Sequence, residues 1–262
     1  MNAVLSIAST TLNEAIRRKV LLIILLIGAL LLSIIPALSI LAARSETTVT
    51  VSAMFAVLRG TSALIAVVLT IYMIPNEIER RTIYTILSKP VQRWQFLLGK
   101  YLGAVFALGL MIAMMTLLMG AVFYIFQQPT PEKLLEVLRQ PPLYFLEMML
   151  LSAVGIFFST FVAPLVNFFL TIGMWLVGTV LNPLYDTVAN NSGSSSFASA
   201  IAKFVVQALP NFATFDVKNP IINPGSAIQN EQAYYVTTAG YGLVYSAILI
   251  IVGILIFDRR EV

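Results

Sequence analysis

The chain has neither cysteine nor histidine among its 262 residues. Without cysteine there is no disulfide and no thiolate nucleophile. Without histidine there is no imidazole base and no His-ligated metal. Charge is scarce as well. Asp, Glu, Lys and Arg make up 11% of the chain, where a soluble globular protein carries roughly 25%. A Gly-x-x-x-x-Gly-Lys-Ser/Thr phosphate loop is missing too. Gly99-Lys100 lacks both the upstream glycine and the following hydroxyl. No cytosolic stretch is large enough to hold a nucleotide. These absences predict a chain that is not an enzyme and binds no cofactor or metal itself. If ATP drives it, another polypeptide holds the ATP.

What is abundant is apolar surface: hydrophobic residues form 59% of the chain and the mean hydropathy is +0.90. A helix needs about 20 apolar residues to cross a bilayer. Long unbroken runs argue against a β-barrel, whose strands alternate. The predicted fold is an all-α polytopic membrane protein forming one domain, 1–262. Six spans are expected, at about 20–43, 53–75, 101–126, 143–161, 166–181 and 235–257.

Residues 1–18 repeat apolar side chains at helical spacing (Val4, Ile7, Ala8, Thr11, Leu12, Ala15, Ile16). The other face carries Asn2, Ser6, Asn13, Glu14, Arg17 and Arg18. That pattern predicts an amphipathic helix in the membrane interface. The first span is too long for a signal peptide and is read as retained, with Pro36 kinking it. Segment 127–142 reads as a polar loop with a short helix bounded by prolines, and Pro164 breaks the run between spans four and five. Arg59 and Glu147 fall near the outer ends of their expected spans. For Arg59 the sequence favours snorkelling to the headgroups over a buried functional cation. Residues 182–232 form the longest non-spanning segment, with a flexible Ser/Gly tract and a further amphipathic stretch at 197–209.

With the N-terminus inside, ten of the sixteen basic residues and five of the twelve acidic ones face the cytoplasm, a net of 10 − 5 = +5. The outer segments hold six basic and seven acidic residues, a net of 6 − 7 = −1. The positive-inside rule therefore predicts both termini in the cytoplasm, the parity that six spans require. The membrane expected is the cell (inner) membrane.

Five basic residues (Arg80, Arg81, Lys89, Arg93, Lys100) gather in residues 76–100, between spans two and three. Proline disfavours helix and restricts its predecessor, so Lys89-Pro90 divides this segment into two helices. The second repeats Val91, Trp94, Leu97, Leu98 and Tyr101, and Lys100 marks entry into span three. On composition alone, an ordinary positive-inside loop that only fixes topology explains this segment equally well. Glu77 and Glu79 beside Arg80 and Arg81 look more like a docking surface with both signs of charge.

These residues resemble the cytoplasmic segment of ABC-2-type permeases, the membrane subunits of ATP-binding-cassette exporters. The matching positions are Glu77, Glu79, Thr82, Leu87, Pro90, Arg93, Gly99 and Lys100; Arg81 and Gln92 stand where many members have Gly and Ser or Thr. The N-terminal helix with Glu14, Arg17 and Arg18 is similar to the family's connecting helix. Leu209-Pro-Asn-Phe212 with Phe215-Asp216 looks like the short external segment before the last span, and Phe257-Asp-Arg-Arg-Glu261 like a common C-terminal ending. Within the family the chain looks most like permeases linked to maturation of copper-containing respiratory enzymes.

The resemblance implies a permease dimer, homomeric or with a homologous permease, served by two copies of a separate ATPase that hold ATP and magnesium. The coupling set would be Glu77, Glu79, Arg80, Thr82, Leu87, Pro90, Arg93 and Lys100, moving as a lever that rocks the spans. The resemblance also suggests that spans two and five line the path at the dimer interface, where Ala63, Ala66, Thr70, Thr171, Gly173 and Gly178 are candidates. Two alternatives differ in class. An ion-driven secondary transporter would place ionisable residues at mid-membrane depth, and the expected span centres lack them. A non-transporting scaffold or regulator of an ATPase would use the same contact. Neither nucleic-acid binding nor intramembrane catalysis finds a motif.

Overall fold

The computed structural model describes residues 2–39, 46–75, 92–190, 209–216 and 230–259. Among these residues the protein is helical throughout, with no strand. The helices are α1 (Asn2–Arg17), α2 (Lys19–Ser39), α3 (Glu46–Ile71), α4 (Arg93–Gln127), α5 (Pro131–Leu138), α6 (Pro141–Ser159), α7 (Pro164–Asn190) and α8 (Glu231–Arg259). A 3-10 turn at Phe212–Phe215 lies between α7 and α8. Five segments, within α2, α3, α4, α5–α6 and α8, are long and apolar enough to cross a membrane. A sixth, Pro164–Val180, is apolar but shorter, and belongs to a 27-residue helix.

The outward faces of these helices carry large apolar side chains. Leu26, Leu117, Leu165 and Leu255 are all exposed, the inverse of a water-soluble surface and the expected face toward lipid. The interior divides into two clusters. One packs Leu32, Val51, Met54, Phe55, Leu58, Met119, Phe123 and Tyr144 toward the end where α2 finishes and α3 begins. The other joins the second half of α3, the first turns of α4, α6 and the end of α8.

Several expected boundaries hold. Pro131 and Pro164 stand at the first positions of α5 and α7, where a missing N–H costs nothing. Two boundaries move. Span two is longer at its start than expected, so Arg59 lies at the middle of α3 rather than near a span end. The second elbow helix is not separate from span three: α4 runs unbroken for 35 residues from Arg93. At 1.5 Å per residue that is about 52 Å, well beyond the ~30 Å hydrocarbon core. Nothing between Arg93 and Gln127 stops a helix, because its four glycines weaken helix only mildly and no proline intervenes. A capping box between Gln92 and Gln95 starts it.

The overhanging first turns of α4 are covered by α1. Val4, Ala8, Thr11 and Ala15 are buried while Ser6, Asn13, Glu14 and Arg17 stay exposed, as the periodicity predicts. Close approach depends on Gly99 and Gly103, four residues apart on α4. A Cβ on Gly99 would lie 2.8 Å from Ile7 Cβ, and one on Gly103 would lie 2.6 Å from Thr11 Cβ and 2.7 Å from the Ala8 carbonyl. This is the small-xxx-small contact that lets two backbones meet in a membrane. So α1 is docked on a helix and not simply laid in the interface. Gly103→Leu is predicted to lift α1 away. In a protein with no native cysteine, an introduced cysteine at Ala8 should resist a polar thiol reagent in the parent and react at least about tenfold faster beside Gly103→Leu. Equal protection in both would contradict the packing.

Candidate functional site

The functional residues group at the two ends of the bundle. At one end the base of α4 gathers both ends of the chain. Arg93, the first residue of α4, donates from Nη1 to the carbonyls of Phe257 and Asp258, each at 3.1 Å. Its guanidinium lies 6.0 Å from the Phe257 ring centroid, and that ring stacks with Phe96 at 6.3 Å. Seven residues on, Lys100 is buried. Its Nζ stands 3.9 Å from the Glu14 carboxylate and 5.7 Å from the Phe96 ring centroid. Glu14 also accepts from Arg18 at 2.7 Å, so it sits between two cations. Arg17 stays exposed in the last turn of α1, where a cation suits the negative helix end.

Thus Glu14, Arg18, Lys100 and Arg93 are drawn together within one junction, and Arg93 and Lys100 are turned onto their own chain. The other coupling candidates, Glu77, Glu79, Arg80, Thr82, Leu87 and Pro90, lie outside the described residues.

Of the candidate path residues, Ala63, Ala66, Thr70 and Thr171 are buried where α3, α6 and α7 meet. The Thr70 hydroxyl donates to the Ala66 carbonyl at 2.9 Å and that of Thr171 to Asn167 Oδ1 at 2.8 Å. Asn167 in turn donates to the Gly155 carbonyl at 3.0 Å. A Cβ on Gly155 would overlap Thr70, and one on Gly178 would overlap Phe212. These small residues hold the helices of one protomer together. Gly173 alone of the six has open space around its Cα.

At the other end is a feature that sequence reasoning misread. Arg59 does not snorkel. Its Nε and Nη2 donate to both oxygens of Glu147, at 2.7 to 3.1 Å. Glu147 is 0% exposed and also accepts from the Trp175 indole at 2.8 Å. The guanidinium lies 5.8 Å from the ring centroids of both Tyr144 and Trp175. Two longer contacts of 3.4 Å reach Asp216 and the Phe212 carbonyl. The expectation that span centres lack charge fails at Arg59. The pair joins positions 88 residues apart, and no local pattern announces such a partner.

This ion pair sits under the 3-10 turn. Phe212 and Phe215 are fully buried. Gln140 donates to the Phe215 carbonyl at 3.1 Å, the Asn211 N–H donates to the Tyr241 hydroxyl at 2.8 Å, and the Tyr234 hydroxyl donates to the Thr214 carbonyl. The turn is therefore seated on α3, α6, α7 and α8 together. Removing Glu147 leaves Arg59 with its longer contacts to Asp216 and the Phe212 carbonyl, and removing Arg59 leaves Glu147 fully buried with the Trp175 N–H. Glu147→Ala is predicted to destabilise the protein by about 3–5 kcal/mol, while pairing it with Arg59→Met recovers much of that loss. Unfolding in a detergent titration measures both. A single variant as stable as the parent would contradict the pairing.

Among the described residues no cluster of three or more Asp or Glu side chains is positioned to hold a metal ion. In comparison with protein-family models, residues 5–262 match a family described as ABC-2 family transporter protein. No curated protein matches the chain.

Proposed function

The chain belongs to the ABC-2 transporter family, and from that premise we propose that it is the permease subunit of an exporter driven by a separate ATPase. Two ATPase copies would bind ATP and magnesium against two permease copies, identical or homologous. The termini and the 76–100 segment face the cytoplasm of the cell (inner) membrane in this reading, supported by the +5 against −1 charge balance. The likeness to permeases serving copper-enzyme maturation remains part of the proposal.

The observation that carries the coupling role is the continuity of α4. The helix begins at Arg93, directly after segment 76–92 in the chain, and runs unbroken for 35 residues, so a displacement delivered to its first turn acts on a span. Glu77, Glu79 and Arg80 offer mixed charge to the groove of an ATPase, with Thr82, Leu87 and Pro90 shaping the turn. Closure of the ATPase pair on ATP would push this lever and rock the spans.

For the path, five of the six candidate residues serve packing within one protomer. A route between two copies would then follow the Gly60–Leu64 side of α3 and the Gly173 side of α7, where Gly60 and Gly173 have nothing within 4 Å and Leu64 is exposed. These apolar walls suit amphiphilic or lipid-like cargo better than a bare ion. The Arg59–Glu147 pair does not favour an ion-driven mechanism, because each charge is paired with the other and Trp175 also donates to Glu147.

Glu77→Ala with Glu79→Ala should leave insertion intact and weaken association with the ATPase by about tenfold, with loss of permease-dependent hydrolysis. Co-purification in mild detergent and phosphate release measure the two effects. Unchanged association and hydrolysis in the double variant would reduce the elbow to a topology anchor.

A further inference from the structure

We propose that Arg93 is a coupling residue that acts on its own chain, fastening the C-terminal end of the last span, α8, to the elbow-bearing base of α4. This rests on the reading above that the elbow receives the ATPase stroke, and it changes what Arg93 contributes. An arginine in a docking surface would keep its guanidinium for the partner. Here that group is directed to two successive carbonyls of the final helical turn of α8. Those carbonyls lie in the last described turn of α8, toward the negative end of the helix dipole, where a cation is stabilising.

A simple cap does not require this arrangement. Arg259 is already in the last turn of α8, yet the charge on the Phe257 and Asp258 carbonyls comes from a residue 164 and 165 positions away. That residue is the one at which the elbow becomes α4. The contact continues for a turn of each helix, through the stacked rings of Phe96 and Phe257 and through Leu97 against Gly253. On its other side, the same base carries α1 at Gly99 and Gly103. Movement of the elbow is thereby delivered to the last span directly, without passing through the long connection between α7 and α8. Arg93 is a positioning residue in this scheme and touches neither nucleotide nor cargo.

The test uses the permease–ATPase complex in lipid nanodiscs, with hydrogen exchange followed by mass spectrometry in the nucleotide-free and the ATP–vanadate-trapped states. In the parent, trapping should change exchange at both the α4 base (93–100) and the α8 end (254–259). In Arg93→Ala the α4 base should still respond while the α8 end does not, and exchange there should be about tenfold faster in both states. Arg93→Lys, which keeps a cation able to reach a carbonyl, should restore part of the α8 response. Unchanged exchange around Phe212–Phe215 in both variants shows that the fold is intact. A full α8 response in Arg93→Ala overturns the clasp and leaves the coupling reading standing. A parent in which neither region responds to trapping overturns both.

Discussion

A charge inside a membrane must find its partner within the protein, and the Arg59–Glu147 pair is where this fold meets that demand. Neither water nor a lipid tail can solvate a buried carboxylate, so three donors from two other helices converge on Glu147: two from Arg59 and the Trp175 indole. The geometry then fixes far more than one ion pair. It sets α3 against α6 and α7, and gives the turn at Phe212–Phe215 a floor to rest on. Such pairs add little net stability, because desolvation offsets much of the attraction. What this pair gives is register, because it ties one position of α3 to one position of α6.

Where charge does not set the register, small side chains do. Lipid tails are as apolar as leucine, so helices in a membrane gain by fitting closely rather than by hiding from water. Gly99 and Gly103 admit α1 to α4, and Gly155 admits Thr70. The result is a protomer with a polar junction at each end. One joins α1, the base of α4 and the end of α8; the other joins four helices beneath a buried turn.

Much of this was legible in the chain. Apolar run lengths gave the helices, Pro131 and Pro164 gave helix starts, and the periodicity of Val4, Ala8, Thr11 and Ala15 gave the buried face of α1. Family membership was legible from the order of short motifs. The failures share a cause: each contact in question spans many residues of sequence. Nothing local in the chain links Arg59 to Glu147, and a lone charge near a span end is most simply read as snorkelling. Lys100 looked like a boundary because hydropathy falls there, but its charge is taken up by Glu14 and the helix continues. One missed signal was available, the four-residue spacing of Gly99 and Gly103. Glu77, Glu79 and the rest of the elbow lie outside the described residues, so their role rests on sequence.

If a second polypeptide drives this one through the segment before Arg93, the two must touch there. The most direct measurement is site-specific photo-crosslinking from position Tyr84, with a photoreactive residue introduced there in the native membrane. The account predicts a crosslink to an ABC ATPase chain whose yield changes when ATP hydrolysis is trapped. Crosslinks to lipid alone, or to no ATPase under either condition, would contradict it.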